Sequence, residues 1–99
     1  MNLTNTDIQK ALRIKRAVNE YFENTSRINV EAKELMNFFI KKGIFVKNIQ
    51  DGLPIRDFLR RLDENHNLHL IPQVHFEQKD KNKNWYFVKT VNENDIYQY

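Results

Sequence analysis

Gly52-Leu-Pro-Ile-Arg-Asp-Phe-Leu-Arg-Arg-Leu62 is the stretch that decides the fold, because it predicts a helix directly before a β-hairpin. Pro54 suits a first helical turn, and the apolar residues recur at i, i+3, i+4 and i+7. This stripe consists of Ile55, Phe58, Leu59 and Leu62. The hairpin follows as Ile71-Pro-Gln-Val-His-Phe-Glu77 and Trp85-Tyr-Phe-Val-Lys89, with a lysine-rich turn at residues 80–84.

Two further helices are predicted upstream. The first covers residues 7–23, with Thr6 as N-cap and Gln9 completing a capping box. The second covers residues 30–42, with Asn29 as N-cap and Gly43 as a left-handed residue just after its end. Leu35, Met36, Phe38, Phe39 and Ile40 predict that this second helix is the most buried one. Residues 44–46 are a candidate short strand.

The element order predicts an α+β fold, in which three helices precede an antiparallel β-hairpin and a third short strand can join the sheet. The 99 residues predict a single domain, with an ordered core over about residues 6–90 and a polar tail at 91–99. Along the second strand, Trp85 and Phe87 alternate with Tyr86 and Val88. Trp85 and Phe87 are therefore expected to cover the helices rather than to stack on nucleic-acid bases.

Composition excludes several kinds of site. The chain has no Cys, which excludes disulfides, thiolate zinc ligands and cysteine nucleophiles. His66, His69 and His75 are spaced unlike any compact zinc motif, so no metal or other cofactor is expected. Phosphate-binding and hydrolase motifs are missing, which favours a non-enzymatic protein. No apolar run is long enough to cross a bilayer, and a cytoplasmic location is the expectation.

Five basic residues near the hairpin are candidates for nucleic-acid binding. Lys79, Lys81 and Lys83 alternate along the hairpin and could contact phosphates, although they could equally keep a solvated turn soluble. Arg56 and Arg60 lie on the polar side of the third predicted helix, where they could reach a DNA groove. Local ion pairing is the alternative, because Asp57–Arg61 and Arg60–Glu64 are both i, i+4 pairs.

A second basic cluster lies upstream. The net charge is +3, and the basic excess falls in the first half of the chain rather than on the helix before the hairpin. A single patch on the first two helices would form if these residues met, although a solvated face is the alternative. The cluster consists of Lys10, Arg13, Lys15, Arg16, Lys41, Lys42 and Lys47.

The order of helix, helix, helix and hairpin resembles the winged helix-turn-helix class over about residues 6–90. That resemblance implies a DNA-binding fold in which the third helix enters the major groove and the hairpin forms a wing. The sequence departs from the class between its last two helices, where residues 43–53 replace a turn of about three or four residues. The stretch from Gly52 to Phe87 also resembles small bacterial proteins of no known function.

These observations predict a nucleic-acid-binding module, such as a transcriptional regulator or an accessory protein of a mobile element. The alternative is a protein-interaction domain that uses a sheet edge or an aromatic surface with Tyr86, Tyr97 and Tyr99. The expected partner is accordingly DNA, another protein or a second copy of the chain. No small-molecule substrate or membrane is expected.

Overall fold

Three helices precede a hairpin, and one short strand precedes the second helix, in residues 3–90. These are the residues that the structure, a computed structural model, describes. The helices are α1 (Asn5–Glu23), α2 (Met36–Lys41) and α3 (Leu53–Glu64), and the strands are β1 (Asn29–Glu31), β2 (Val74–Lys79) and β3 (Asn82–Val88). Short 3-10 helices cover Ala32–Leu35 and Leu68–Leu70. The predicted α+β class is confirmed, and the predicted tail at 91–99 lies outside the described residues.

α1 begins two residues earlier than predicted, because a different capping box closes it. The hydroxyl of Thr4 accepts a hydrogen bond from the backbone N–H of Asp7 at 3.1 Å, and the Asp7 carboxylate accepts one from the Thr4 N–H at 3.1 Å. The predicted box of Thr6 and Gln9 is therefore wrong. A carboxylate also stabilises the positive end of the helix dipole, which the neutral Gln9 cannot do.

The second predicted helix is wrong over its first half. Residues 29–31 form β1, which pairs antiparallel with β3 and sets Val30 opposite Phe87. Val30 is buried in the core, and this packing outweighs the local helix-capping pattern at Asn29. A 3-10 helix then leads into the six-residue α2. The third strand is thus β1, and the predicted strand at residues 44–46 does not form.

The end of α2 follows the prediction. Gly43 has a φ of +75°, its N–H donates to the carbonyl of Ile40, and the N–H of Ile44 donates to the carbonyl of Phe39. This is the Schellman motif, in which the left-handed glycine reverses the chain and the next residue folds back onto the last helical turn. Ile44 is buried as a result.

The hairpin is longer and tighter than predicted. β2 and β3 pair from Val74–Phe87 to Lys79–Asn82, so the turn consists of Asp80 and Lys81 rather than residues 80–84. Asp80 adopts a φ of +38°, a conformation that Asp tolerates better than most residues. The strand order is β1-β3-β2, which places β3 in the centre and β2 at an edge.

One hydrophobic core joins the helices to the inner face of the sheet. All four residues of the predicted α3 stripe are buried, and so are Trp85 and Phe87. Phe87 meets Phe39 of α2 edge to face, with ring centroids 5.9 Å apart. Burying one such aromatic side chain contributes roughly 1.5–3 kcal/mol, so this contact fixes α2 against the central strand.

Candidate functional site

A groove of about 650 Å³ runs between α3 and the inner face of the hairpin. One wall is α3, with Arg60 and Glu64, and the other is β3, with Lys83 and Trp85. The end of β1 and the loop before α3 close one side. The hairpin brings the charged residues of its tip toward the helix, so the groove lies between two elements that are neighbours in the chain.

Four of the five predicted nucleic-acid-binding residues line this groove. They are Arg56, Arg60, Lys81 and Lys83. Lys33 is a fifth basic residue there, and the sequence reasoning missed it because it assigned this residue to a helix. No local pattern could have placed Lys33 next to α3, since their proximity comes from tertiary packing of the 3-10 helix against the loop.

Acidic residues balance most of this positive charge. Glu31, Asp51, Asp63 and Glu64 also line the groove. The ammonium of Lys33 lies 3.4 Å from the Asp51 carboxylate and 3.9 Å from that of Glu31, and Lys83 pairs with Asp63. Among the ion pairs of residues 3–90, none involves Lys81, which sits at the hairpin tip.

Arg56 holds the loop that precedes α3. Its guanidinium donates a hydrogen bond of 2.7 Å to the carbonyl of Gln50 and a longer one, of 3.4 Å, to the carbonyl of Asp51. Gln50 and Asp51 have φ angles of +47° and +52°, a conformation that costs most side chains free energy. The hydrogen bonds from Arg56 therefore offset the strain of this backbone. Because the guanidinium is engaged in them, it is less free to contact a base edge.

The arginines at the middle and end of α3 pair differently from the prediction. Arg60 lies 3.0 Å from Asp57, an i, i+3 pair that is about half exposed. Arg61 pairs with Asp7 of α1 and so joins the two helices. The predicted Asp57–Arg61 and Arg60–Glu64 pairs are replaced by these contacts. Arg60 remains at the surface of the groove.

The three hairpin lysines do not form one basic surface. Lys83 lies on the inner face with Trp85, and its ammonium sits 4.3 Å from the centre of the Phe76 ring. Lys79 lies opposite Asn82, on the outer face, and its ammonium is 3.9 Å from the Glu77 carboxylate. Because successive strand residues point to opposite faces, Lys79 points away from the groove.

The upstream basic cluster is partly assembled around α2. Arg13, Arg16 and Lys42 line a shallow depression of about 320 Å³ together with Glu20. Arg13 donates to the carbonyl of Lys42, and the Lys42 ammonium lies 2.5 Å from the Glu20 carboxylate. Arg13 and Lys42 are thus engaged in internal contacts, which favours a structural role for these two side chains.

Lys10 is set apart from that depression by an aromatic contact. Its ammonium lies 4.2 Å from the centre of the Phe45 ring and 5.6 Å from that of Phe58. Burial lowers the pKa of Lys10, and the nearby Arg61 guanidinium acts in the same direction. Lys10 therefore anchors the loop after α2 to α1 rather than extending a phosphate-binding patch.

Neither a metal centre nor a stacking platform is formed in the described range. Among residues 3–90, no three or more His, Asp or Glu side chains converge as metal ligands would. Trp85 and Phe87 are buried, as the alternation predicts, while Tyr86 is only half-buried. Tyr97 and Tyr99 lie outside the described residues.

Comparisons with known proteins give the chain no relative. No protein family, curated protein or solved structure matches it. Across residues 3–90, no helix has the length and apolarity that crossing a membrane requires. The fold and the groove thus define a small α+β protein with a groove of mixed charge.

Proposed function

We propose that this protein is a non-enzymatic module that binds the phosphate backbone of nucleic acid, preferably DNA, in the groove between α3 and the hairpin. The observation that carries the proposal is the convergence of Arg56, Arg60, Lys81 and Lys83 on that groove from two separate elements. A transcriptional regulator or an accessory protein of a mobile element would use such a module, and either would act in the cytoplasm.

The order of the elements supports the same proposal. Three helices followed by a hairpin is the order that the winged helix-turn-helix resemblance rests on, and α3 and the hairpin are the two elements that such a protein applies to DNA. The connection between α2 and α3 spans residues 42–52, which is longer than a helix-turn-helix turn. The proposal therefore rests on backbone contacts and not on a standard recognition helix.

Lys81 and Arg60 are the side chains best suited to contact phosphates. Lys81 lies at the exposed hairpin tip, and the pair between Arg60 and Asp57 is open to solvent and therefore weak. Lys83 becomes available only when it exchanges Asp63 for a phosphate. Each such contact releases condensed counterions from the nucleic acid, so affinity should fall with salt.

The test compares two lysines of the same hairpin. Binding of the wild type to labelled duplex and single-stranded DNA is measured by fluorescence anisotropy across a salt series. Lys81→Glu should weaken binding by roughly tenfold and reduce the salt slope by about one, because it removes a phosphate contact. Lys79→Glu is the matched control, since it makes the same charge change on the outer face of the hairpin.

Two results would contradict the groove. If Lys79→Glu weakens binding as much as Lys81→Glu does, the attraction is a general effect of net charge. If the wild type binds neither DNA at about 20 mM salt, where the electrostatic term is largest, nucleic-acid binding is wrong.

A protein-interaction domain is the second candidate, and the exposed edge of β2 favours it. Phe76 on that strand is 45% exposed, unlike the buried aromatic residues of β3. An open strand edge can accept an additional strand through backbone hydrogen bonds. Measurement of self-association in solution tests this edge directly.

A further inference from the structure

β2 presents one side of its backbone to solvent. It pairs with β3 on its inner side, and within residues 3–90 no other strand pairs with its outer side. Every residue of β2 after Val74 is exposed, so no helix among the described residues covers this edge. An edge of this kind can add a strand from another molecule unless charge or shape prevents it.

The direction of each backbone group follows from the register. The carbonyl of Gln73 accepts a hydrogen bond from the N–H of Val88 at 2.8 Å, and so points toward β3. Backbone groups of successive residues point alternately to the two sides of an antiparallel strand. His75 and Glu77 therefore bond to β3, whereas Phe76 and Gln78 direct their N–H and carbonyl groups outward.

We propose that this edge binds β2 of a second copy of the chain, antiparallel, with Phe76 opposite Phe76 about a two-fold axis. This register sets His75 of each copy opposite Glu77 of the other. In each of the two pairs an imidazole, which carries an N–H donor, faces a carboxylate, which accepts hydrogen bonds. The register also sets Val74 opposite Gln78. The outward groups of Phe76 then form reciprocal backbone hydrogen bonds across the axis.

Neighbouring registers are less favourable. Centring the axis on Glu77 sets the two Glu77 carboxylates opposite each other, which places like charges together. Centring it on His75 sets Glu77 opposite Gln73, which is buried and lies outside the strand. The register at Phe76 pairs five residues of each β2, Val74–Gln78. Centring the axis on Gln78 would pair only Glu77–Lys79 within the strands and would set Phe76 opposite Asp80 of the turn.

Pairing of the two edges extends the sheet across both copies. A two-fold axis perpendicular to the sheet joins the two sheets into one of six strands, in the order β1-β3-β2-β2-β3-β1. The exposed rings of Phe76, which each contact Trp85 at 5.5 Å between centroids, then meet across the axis. Such aromatic cross-strand pairs stabilise sheets.

The test is the association constant from sedimentation equilibrium, measured on the full chain over a wide concentration range. His75→Glu should weaken dimerisation at least tenfold, because it sets a carboxylate opposite Glu77 of the other copy. Adding Glu77→Lys to that variant should restore the dimer, since it sets Glu opposite Lys. Both positions are exposed, and circular dichroism confirms that the variants remain folded.

The proposal is overturned if the wild type remains a monomer at several hundred micromolar, or if His75→Glu leaves the association constant unchanged. It is also overturned if the double variant dimerises no better than His75→Glu alone. Lys81→Glu serves as the control in this experiment, because it changes charge in the groove and should leave dimerisation unchanged. Dimerisation and nucleic-acid binding therefore succeed or fail independently.

Discussion

The ammonium of Lys83 on β3 contacts the carboxylate of Asp63 on α3, so an ion pair spans the groove between the hairpin and the third helix. Both side chains are about 30% exposed, which makes the pair partly shielded from solvent. The same ammonium lies over the Phe76 ring. Lys83 thus joins α3 to both strands of the hairpin. Its ion pair with Asp63 holds the hairpin beside the helix and neutralises one positive charge of the groove.

Asp63→Asn should strengthen nucleic-acid binding by a few fold. The substitution removes a negative charge from the groove and frees Lys83 to contact a phosphate. Loss of the partly shielded ion pair lowers the free energy of unfolding by about 0.5–1 kcal/mol. Anisotropy titrations at fixed salt measure the effect. Glu23→Gln is the matched control, because it changes net charge equally at a residue outside the groove. Equal effects of both variants would contradict a specific role for the groove.

Gly52→Ala should destabilise the fold strongly, by more than about 2 kcal/mol. Gly52 has a φ of +90°, and a Cβ there would lie 2.5 Å from the Cβ of Lys33. Gly43→Ala is the comparison, since its φ is +75° but the nearest atom to a Cβ is a flexible Arg13 nitrogen at 3.6 Å. That variant should lose only about 1 kcal/mol, from the left-handed backbone alone. Urea unfolding measures both, and a smaller loss for Gly52→Ala would contradict the close approach.

Arg56→Met should lower the free energy of unfolding by about 1–2 kcal/mol, because it removes the charged donor from the Gln50 carbonyl in a strained loop. Arg60→Met should lose less than about 0.5 kcal/mol, since the pair with Asp57 is exposed. Urea unfolding of the two variants, which make the same substitution on one helix, distinguishes the roles. Equal losses of stability would show that Arg56 does not support the loop.

Asp7→Ala should destabilise the protein at neutral pH by about 1 kcal/mol, the usual contribution of a helix cap. The backbone N–H of Thr4 is the main cause that lowers the pKa of Asp7 below 3.8, and the Thr4 hydroxyl and the Arg61 guanidinium add to it. A carboxyl with a lowered pKa stabilises the fold above its unfolded pKa, and this contribution is lost as pH falls through its folded pKa.

The stability difference between the wild type and Asp7→Ala should therefore be constant from pH 7 to about pH 5 and should shrink below about pH 4. Urea unfolding at pH 7, 5 and 3 measures it. A difference at pH 3 as large as at pH 7 would contradict the contribution of the ionised carboxylate.

Short-range chemistry in the sequence determined several elements. The stripe of Ile55, Phe58, Leu59 and Leu62 predicted α3, and Gly43 predicted the reversal after α2, because both depend on residues a few positions apart. The alternation that includes Trp85 and Phe87 predicted the inner face of the hairpin. The sequence also identified five candidates for nucleic-acid binding, and all of them except Lys79 line the groove. The five are Arg56, Arg60, Lys79, Lys81 and Lys83.

Only the tertiary structure decided which local alternatives prevailed. Asn29 and Val30 resemble the start of a helix, but Val30 gains more by burial beside Phe87 and so forms β1. The pairing of Arg61 with Asp7, and the opposite directions of Lys79 and Lys83, depend on the packing of α1 and on the hairpin register. The sequence by itself determined the helical stripe, the cap at Gly43 and the set of cations, because these follow from neighbouring residues. The groove, its acidic partners and the open edge of β2 depend on contacts between residues distant in sequence, which only folding brings together.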